Sequence, residues 1–170
     1  MNINEEATNP EEEKTPTAEF KPYRSSASFG KRQVYIAVAE LLRRGHDVYM
    51  TLVDDQQIDC IIRQEKDGQL RYLDIQIKAR SSDAKNPGTF SALEIRKPRE
   101  GFFYIFYSEK ADTYWIVPSL ELVNEAYQYK NNGIHNGKYR IVFVNKVKDG
   151  VRPRPRFKKY ENAFHLLVWN

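Results

Sequence analysis

Apolar positions recur at helical spacing over residues 34–42 and then at strand spacing from residue 48 onward. Val34, Ala37, Val38, Leu41 and Leu42 fall at i, i+3, i+4, i+7 and i+8, the stripe of a helix that packs on a sheet. Arg43 and Arg44 followed by Gly45 suit the end of that helix. Val48 to Leu52 reads as a first strand, followed by a polar loop over Val53 to Gln57 in which Asp54 and Asp55 turn the chain. Ile58 to Arg63 and Leu70 to Lys78 are rich in β-branched residues, and Asp67-Gly68 between them is a strong hairpin signal. With those two residues as the loop, Lys66 faces Gln69, and counting outward sets Asp59 opposite Gln76. Cross-strand partners share a face with Cβ atoms about 4.5–5.5 Å apart. Alternation then adds Asp74 and Lys78 to the face of Asp59 and Gln76, and turns Leu73, Ile75 and Ile77 to the other side.

Further along, Phe102 to Tyr107 and Thr113 to Val117 form a second hairpin around Glu109 to Asp112. Ser119 is a natural N-cap for a short helix reaching about Tyr129; Asn131 to Gly137 is a loop and Tyr139 to Val144 another strand. In VRPRPRFKK, residues 151–159, the prolines oppose helix and hold the arginines extended. Phe157, Tyr160, Phe164, Leu167 and Val168 then give a last helix its apolar stripe. Residues 1–24 are polar, acidic and interrupted by Pro10, Pro16 and Pro22, the composition of a disordered tail, so the single folded domain is expected over residues 25–170.

Charge sharpens this division. Residues 1–20 carry six glutamates against Lys14, a balance of −5, so of the formal net charge of +4 the rest of the chain carries +9. A basic folded part favours a polyanionic partner. The single cysteine, Cys60, sits in an apolar run with no second cysteine to pair with, which points to packing and a reducing compartment. No apolar run approaches the ~20 residues needed to span a bilayer, and the acidic N-terminus lacks the pattern of a signal peptide. A cytoplasmic protein without a membrane partner is expected.

Two chemistries find no support. His46, His135 and His165 are far apart and none neighbours a second metal-type ligand, which disfavours zinc. No glycine-rich phosphate loop or nucleophile elbow occurs, which disfavours serine or cysteine catalysis. What stands out is a carboxylate, an amide and an ammonium, Asp59, Gln76 and Lys78, converging beside apolar strand residues. Such groups must be paired, solvated or bound to a cation. The simpler alternative is the solvent side of an amphipathic hairpin.

The order of a helix ending in glycine, a strand, an Asp inside an apolar run (QIDCII, Asp59) and then an apolar-flanked Q-x-K (LDIQIKAR, Gln76 and Lys78) resembles the core of the PD-(D/E)XK nuclease superfamily, in its resolvase-like and restriction-endonuclease-like branch. The match covers roughly Gly30 to Arg80, with short, degenerate motifs. The resemblance implies an α/β domain, a central mixed sheet flanked by helices, and metal-dependent hydrolysis of DNA phosphodiester bonds. It implies Mg²⁺ or Mn²⁺ held by Asp59, the Gln76 side-chain oxygen and the Ile77 carbonyl, with Lys78 acting on the attacking water. In that family the first helix commonly supplies a metal-binding glutamate; here the matching position is most nearly Gln33, with Glu40 two turns later. Arg80, Ser81 and Ser82, just beyond Lys78, and Arg152, Arg154 and Arg156 suit phosphate contacts. A homodimer is compatible with this reading. RNA stays open as a substrate, since nothing reads a 2′-hydroxyl. The glutamines at 33 and 76 keep a rival alive: a nuclease-like domain without catalysis that binds DNA or another protein.

Overall fold

A computed structural model describes residues 25–53 and 56–169; the expected tail over residues 1–24 and the Asp54-Asp55 turn lie outside them. Helix α1 runs Ser26–Arg43, opened by Ser25, whose hydroxyl accepts from the Ser28 amide at 3.2 Å, and closed at Arg44 before Gly45 (φ +82°). It buries Val34, Ala37, Val38 and Leu41 as the periodicity requires, with Phe29 and Gln33, and leaves Leu42 exposed.

The strands are β1 (Asp47–Met50), β2 (Cys60–Lys66), β3 (Gln69–Arg80), β4 (Thr89–Leu93), β5 (Phe102–Ser108), β6 (Thr113–Pro118), β7 (Tyr127–Gln128), β8 (Tyr139–Val142), β9 (Val144–Val147) and β10 (Gly150–Pro153), with helix α2 (Ser119–Glu125) between β6 and β7. The main sheet has the order β1-β2-β3-β5-β6, and only the central β3–β5 pair is parallel. Lys66 pairs with Gln69 and Cys60 with Ile75, the register set by the Asp67-Gly68 turn. Both turn residues have positive φ, 52° and 74°, as a type I′ hairpin demands.

The sheet is buried on both faces, which accounts for the unbroken apolar run at the start of β5. One face packs Cys60, Ile62, Leu73, Ile75, Ile77 and Ile105 against α1 and against Phe164 and Leu167. The other packs Phe102, Tyr104, Phe106, Trp115 and Val117 against Phe90, Ile141, Phe143 and Leu122. The second layer is therefore built by a small sheet, β4-β8-β7, together with α2, and not by a long helix.

Several expectations change. Ser119 does not cap α2: Pro118 holds that position, and the buried Ser119 hydroxyl donates to Arg99 O and accepts from Arg99 N, both at 2.9 Å. The helix stops at Glu125 because Tyr127 and Gln128 pair with β8. The expected last helix is two 3₁₀ helices, Pro155–Tyr160 and Phe164–Leu167. Pro155 starts the first of them, where its missing N–H costs nothing.

Candidate active site

Strands β3 and β5 run parallel and end together at Arg80 and Ser108, beside the start of β2 and the first half of α1. In open α/β sheets ligands bind outside these carboxyl ends. A cavity of about 580 Å³ opens there, lined by Ser26, Gly30 and Lys31 of α1, by Asp59, and by Ile77, Lys78, Arg80 and Ser81 at the end of β3.

Asp59 lies one residue before β2. Its amide donates to Ile75 O at 2.8 Å, and its Oδ2 accepts from Ile77 N at 2.7 Å. Ile75 therefore turns its backbone polar groups toward β2, and so does Ile77 two residues later. The carboxylate takes the place of the next strand residue in the ladder, pinned at the sheet edge next to the Ile77 carbonyl. The regular ladder ends at the pair Cys60–Ile75; the Asp59 amide also turns to Ile75 O, so the expected opposition of Asp59 and Gln76 is not reached.

Gln76 is 1 % exposed, sits beside Tyr104 of β5, and its Oε1 is buried with no hydrogen-bond partner. Leaving such an acceptor unmet costs about 1–3 kcal/mol. Asp74, two residues before it, and Arg80, four after it, look toward the second core: Asp74 pairs with Arg99 at 2.5 Å, and the Arg80 guanidinium lies 5.8 Å from the Phe90 ring centre. Leu73, Ile75 and Ile77 pack with α1. Gln76 is thus on the face away from α1, whereas Asp59 lines the cavity beside α1. The amphipathic-hairpin alternative, with Gln76 in solvent, does not hold.

Gln33 is 2 % exposed and donates through Nε2 to Glu109 Oε1 at 2.7 Å, and its own Oε1 is a second buried acceptor without a partner. Arg32 Nη2 reaches the same Glu109 oxygen at 2.7 Å, while Ser82 N donates to Oε2 at 3.0 Å and Glu109 N donates to Arg80 O at 2.9 Å. Glu109 thus clamps α1 to the segment leaving β3. Sequence reasoning passed over it as part of a polar turn; the usable signal was its position one residue past β5, level with the end of β3.

Glu40 is not brought to the cavity. It binds Arg43 and Arg44 at 2.8 Å, and chiefly the Arg43 guanidinium, with Arg44, holds its carboxyl below the usual range despite partial burial. Arg152, Arg154 and Arg156 also lie elsewhere: Arg154 donates to Asn145 Oδ1 at 3.0 and 2.8 Å, and Arg156 to Glu125 Oε2 at 2.7 Å. Ser82 meets Glu109 through its amide, while Arg80 and Ser81 line the cavity.

Among the described residues no three His, Cys, Asp or Glu side chains gather as a metal site. A cation at Asp59 must then rely on an amide and a main-chain carbonyl beside the carboxylate, a set of hard oxygens suited to an ion that keeps several waters. The unmet Gln76 Oε1 is an oxygen of that kind, but Gln76 does not line the cavity at Asp59.

No family model matches the chain, and no curated protein matches it in sequence. Its fold is similar to that of a solved bacterial homing endonuclease, I-Ssp6803I, at a TM-score of 0.58 and 20 % identity, over 85 % of this chain and 93 % of that one. D212, a nuclease from a fusselovirus, aligns at a TM-score of 0.42 and 15 % identity, over 67 % of this chain and 78 % of that one. The chain therefore shares the mixed-sheet α/β fold of the homing endonuclease.

Proposed function

We propose that the protein is a divalent-metal-dependent endonuclease that hydrolyses DNA phosphodiester bonds. The observation that carries this reading is Asp59, pinned on Ile77 N in the cavity that Lys78 also lines, with the buried, unmet Oε1 of Gln76 one residue before Ile77 in β3. Asp59, Gln76 and the Ile77 carbonyl would hold Mg²⁺ or Mn²⁺. Such an ion, when bound, lowers the pKa of water and offsets charge on the phosphate. Lys78 orients the attacking water and neutralises charge that develops on the phosphate oxygens. Lys31, Arg80 and Ser81 receive flanking phosphates, and the first turn of α1, which contains no acidic residue, presents its positive end to them.

The rival reading, a DNA-binding domain without catalysis, is favoured by one fact: the ligand set offers a single carboxylate, with Gln33 and Gln76 neutral. The discriminating experiment incubates purified full-length protein with supercoiled plasmid in Mg²⁺, in Mn²⁺ and in chelator. Cleavage is expected with metal only, and to be lost in Asp59→Asn and in Lys78→Ala, with Asp59→Asn keeping or slightly strengthening DNA binding. Binding without cleavage in either metal would replace the enzyme by the inert domain.

A further inference from the structure

Strands β9 and β10 form a two-stranded ribbon of their own, pairing Val147 with Gly150 and Val144 with Pro153 around a Lys148-Asp149 turn. Residues 145–149, Arg152 and Pro153 are all exposed. Asn145 pairs with Arg152 and Lys146 with Val151, so Lys146 and Arg152 stand on opposite faces of the ribbon, with Lys148 at its tip. Among the described residues none of these three cations is paired with an acid. An unneutralised ribbon with cations on both faces is shaped for a site flanked by negative charge on both sides.

At the base of the ribbon two basins of about 290 and 160 Å³ share Arg140, Val142 and Arg154 in their walls. Arg154 is held in place by Asn145, and Arg140 is exposed. The smaller basin is continuous along the chain with the Asp59 cavity: Ser81 and Ala84 line the cavity, and Asn86 and Thr89 line the basin. The smaller basin has no aromatic residue in its wall, and the larger adds only the exposed Tyr127 and the buried Phe157, so this surface offers cations and amides and little base stacking. That suits a duplex, whose bases are already stacked.

We propose that the β9–β10 ribbon is a DNA-reading arm that enters the major groove of duplex DNA, while Arg140 and Arg154 at its base grip the phosphates. The dimensions agree. Strands of this length extend roughly 13 Å at ~3.3 Å per residue, with strands ~4.8 Å apart, against a major groove about 12 Å wide and 8.5 Å deep that admits a two-stranded ribbon. The inference rests on the nuclease reading for the identity of the polymer and adds where and how the duplex is held.

The test measures binding of full-length protein to a 30-base-pair DNA duplex by fluorescence anisotropy, in chelator and over a salt series. The variant Lys146→Ala/Lys148→Ala/Arg152→Ala removes the ribbon's cations. The control Arg43→Ala/Lys66→Ala/Arg71→Ala removes the same charge from α1, β2 and β3. The ribbon variant should bind at least tenfold more weakly with a salt slope shallower by up to about 2.7, each lost contact being worth roughly 0.9, and the control should lose less than threefold. Asn145→Ala, which frees Arg154 without changing charge, should show a smaller loss. Methyl green, a major-groove ligand, should compete with wild type, and netropsin, a minor-groove ligand, should not. Equal losses in ribbon variant and control, competition by netropsin alone, or tighter binding to single strands or duplex RNA each overturn the inference while leaving the cleavage site standing. Wild type that binds no nucleic acid overturns both.

Discussion

Gln76 concentrates the chemical question in one amide. Its Oε1 is buried without a partner one residue before Ile77, whose amide holds Asp59, and a cation that supplied the missing contact would offset that cost. Replacing it by glutamate at 1 % exposure buries a carboxylate, and an uncompensated buried charge is strongly unfavourable. Gln76→Glu should therefore melt earlier than wild type in chelator and gain more from Mg²⁺ or Mn²⁺, a hundredfold excess of ion over its own Kd stabilising it by about 2.7 kcal/mol. Thermal scans with and without metal check this. An equal metal effect in both proteins would remove Gln76 from the ligand set. The register from Lys66–Gln69 to Cys60–Ile75 was legible in the sequence because the Asp67-Gly68 turn fixes it, and the shift at Asp59, whose amide turns to Ile75 O, was not. Glu109 was not, because its three partners come from α1 and the end of β3, far away in sequence, and nothing local distinguishes it from a solvated turn residue.

At the scale of elements, the long periodic segments read well and the short ones did not. Helix α1, the β2–β3 hairpin and the β5–β6 hairpin have local turns and caps that define them. Strands β4, β7, β9 and β10 have two to five residues each, and their existence depends on partners and layers that periodicity does not specify. Alternation tells which side chains share a face, and only packing tells what covers it. Where these short strands join, Gly88 accepts from Phe143 N at 2.9 Å, and a Cβ at Gly88 would lie 2.1 Å from Val144 Cγ2 and 2.7 Å from Val144 N. Backbone cannot yield there as a flexible side chain would. Gly88→Ala should cost roughly 1–3 kcal/mol or more, lowering Tm by ~2–4 °C for each kcal/mol. Cys60 provides an internal probe, being fully buried with its thiol pushed up to about 12 by burial and, less, by the Asp59 charge. Its labelling by a thiol reagent at neutral pH should be slow in wild type and faster in Gly88→Ala. An unchanged Tm and labelling rate would mean that β9 can shift freely away from Gly88.

Across the whole molecule, charge is divided between two parts. Residues 1–20 carry −5 while residues 21–170 carry +9, and the described structure begins at Ser25, next to Ser26 and Ala27 in the cavity wall. The acidic segment is therefore joined to the fold at the mouth of a cavity that presents Lys31, Lys78 and Arg80. Residues 1–24 are polar, acidic and interrupted by Pro10, Pro16 and Pro22, a composition ill suited to a packed core, so deleting them should leave Tm unchanged. It removes negative charge from a chain whose remainder carries +9, so duplex affinity should stay the same or rise, most visibly at low salt, where the Debye length is about 30 Å at 0.01 M. Affinity of wild type and truncated protein should both fall steeply with salt; six to ten phosphate contacts would cost a factor of about 10³–10⁵ between 50 and 200 mM. Anisotropy titrations of both proteins at several salt concentrations decide the matter. Weaker binding after truncation would mean that residues 1–24 contribute contacts of their own, and an affinity flat in salt would show that the basic surface is not what holds the DNA.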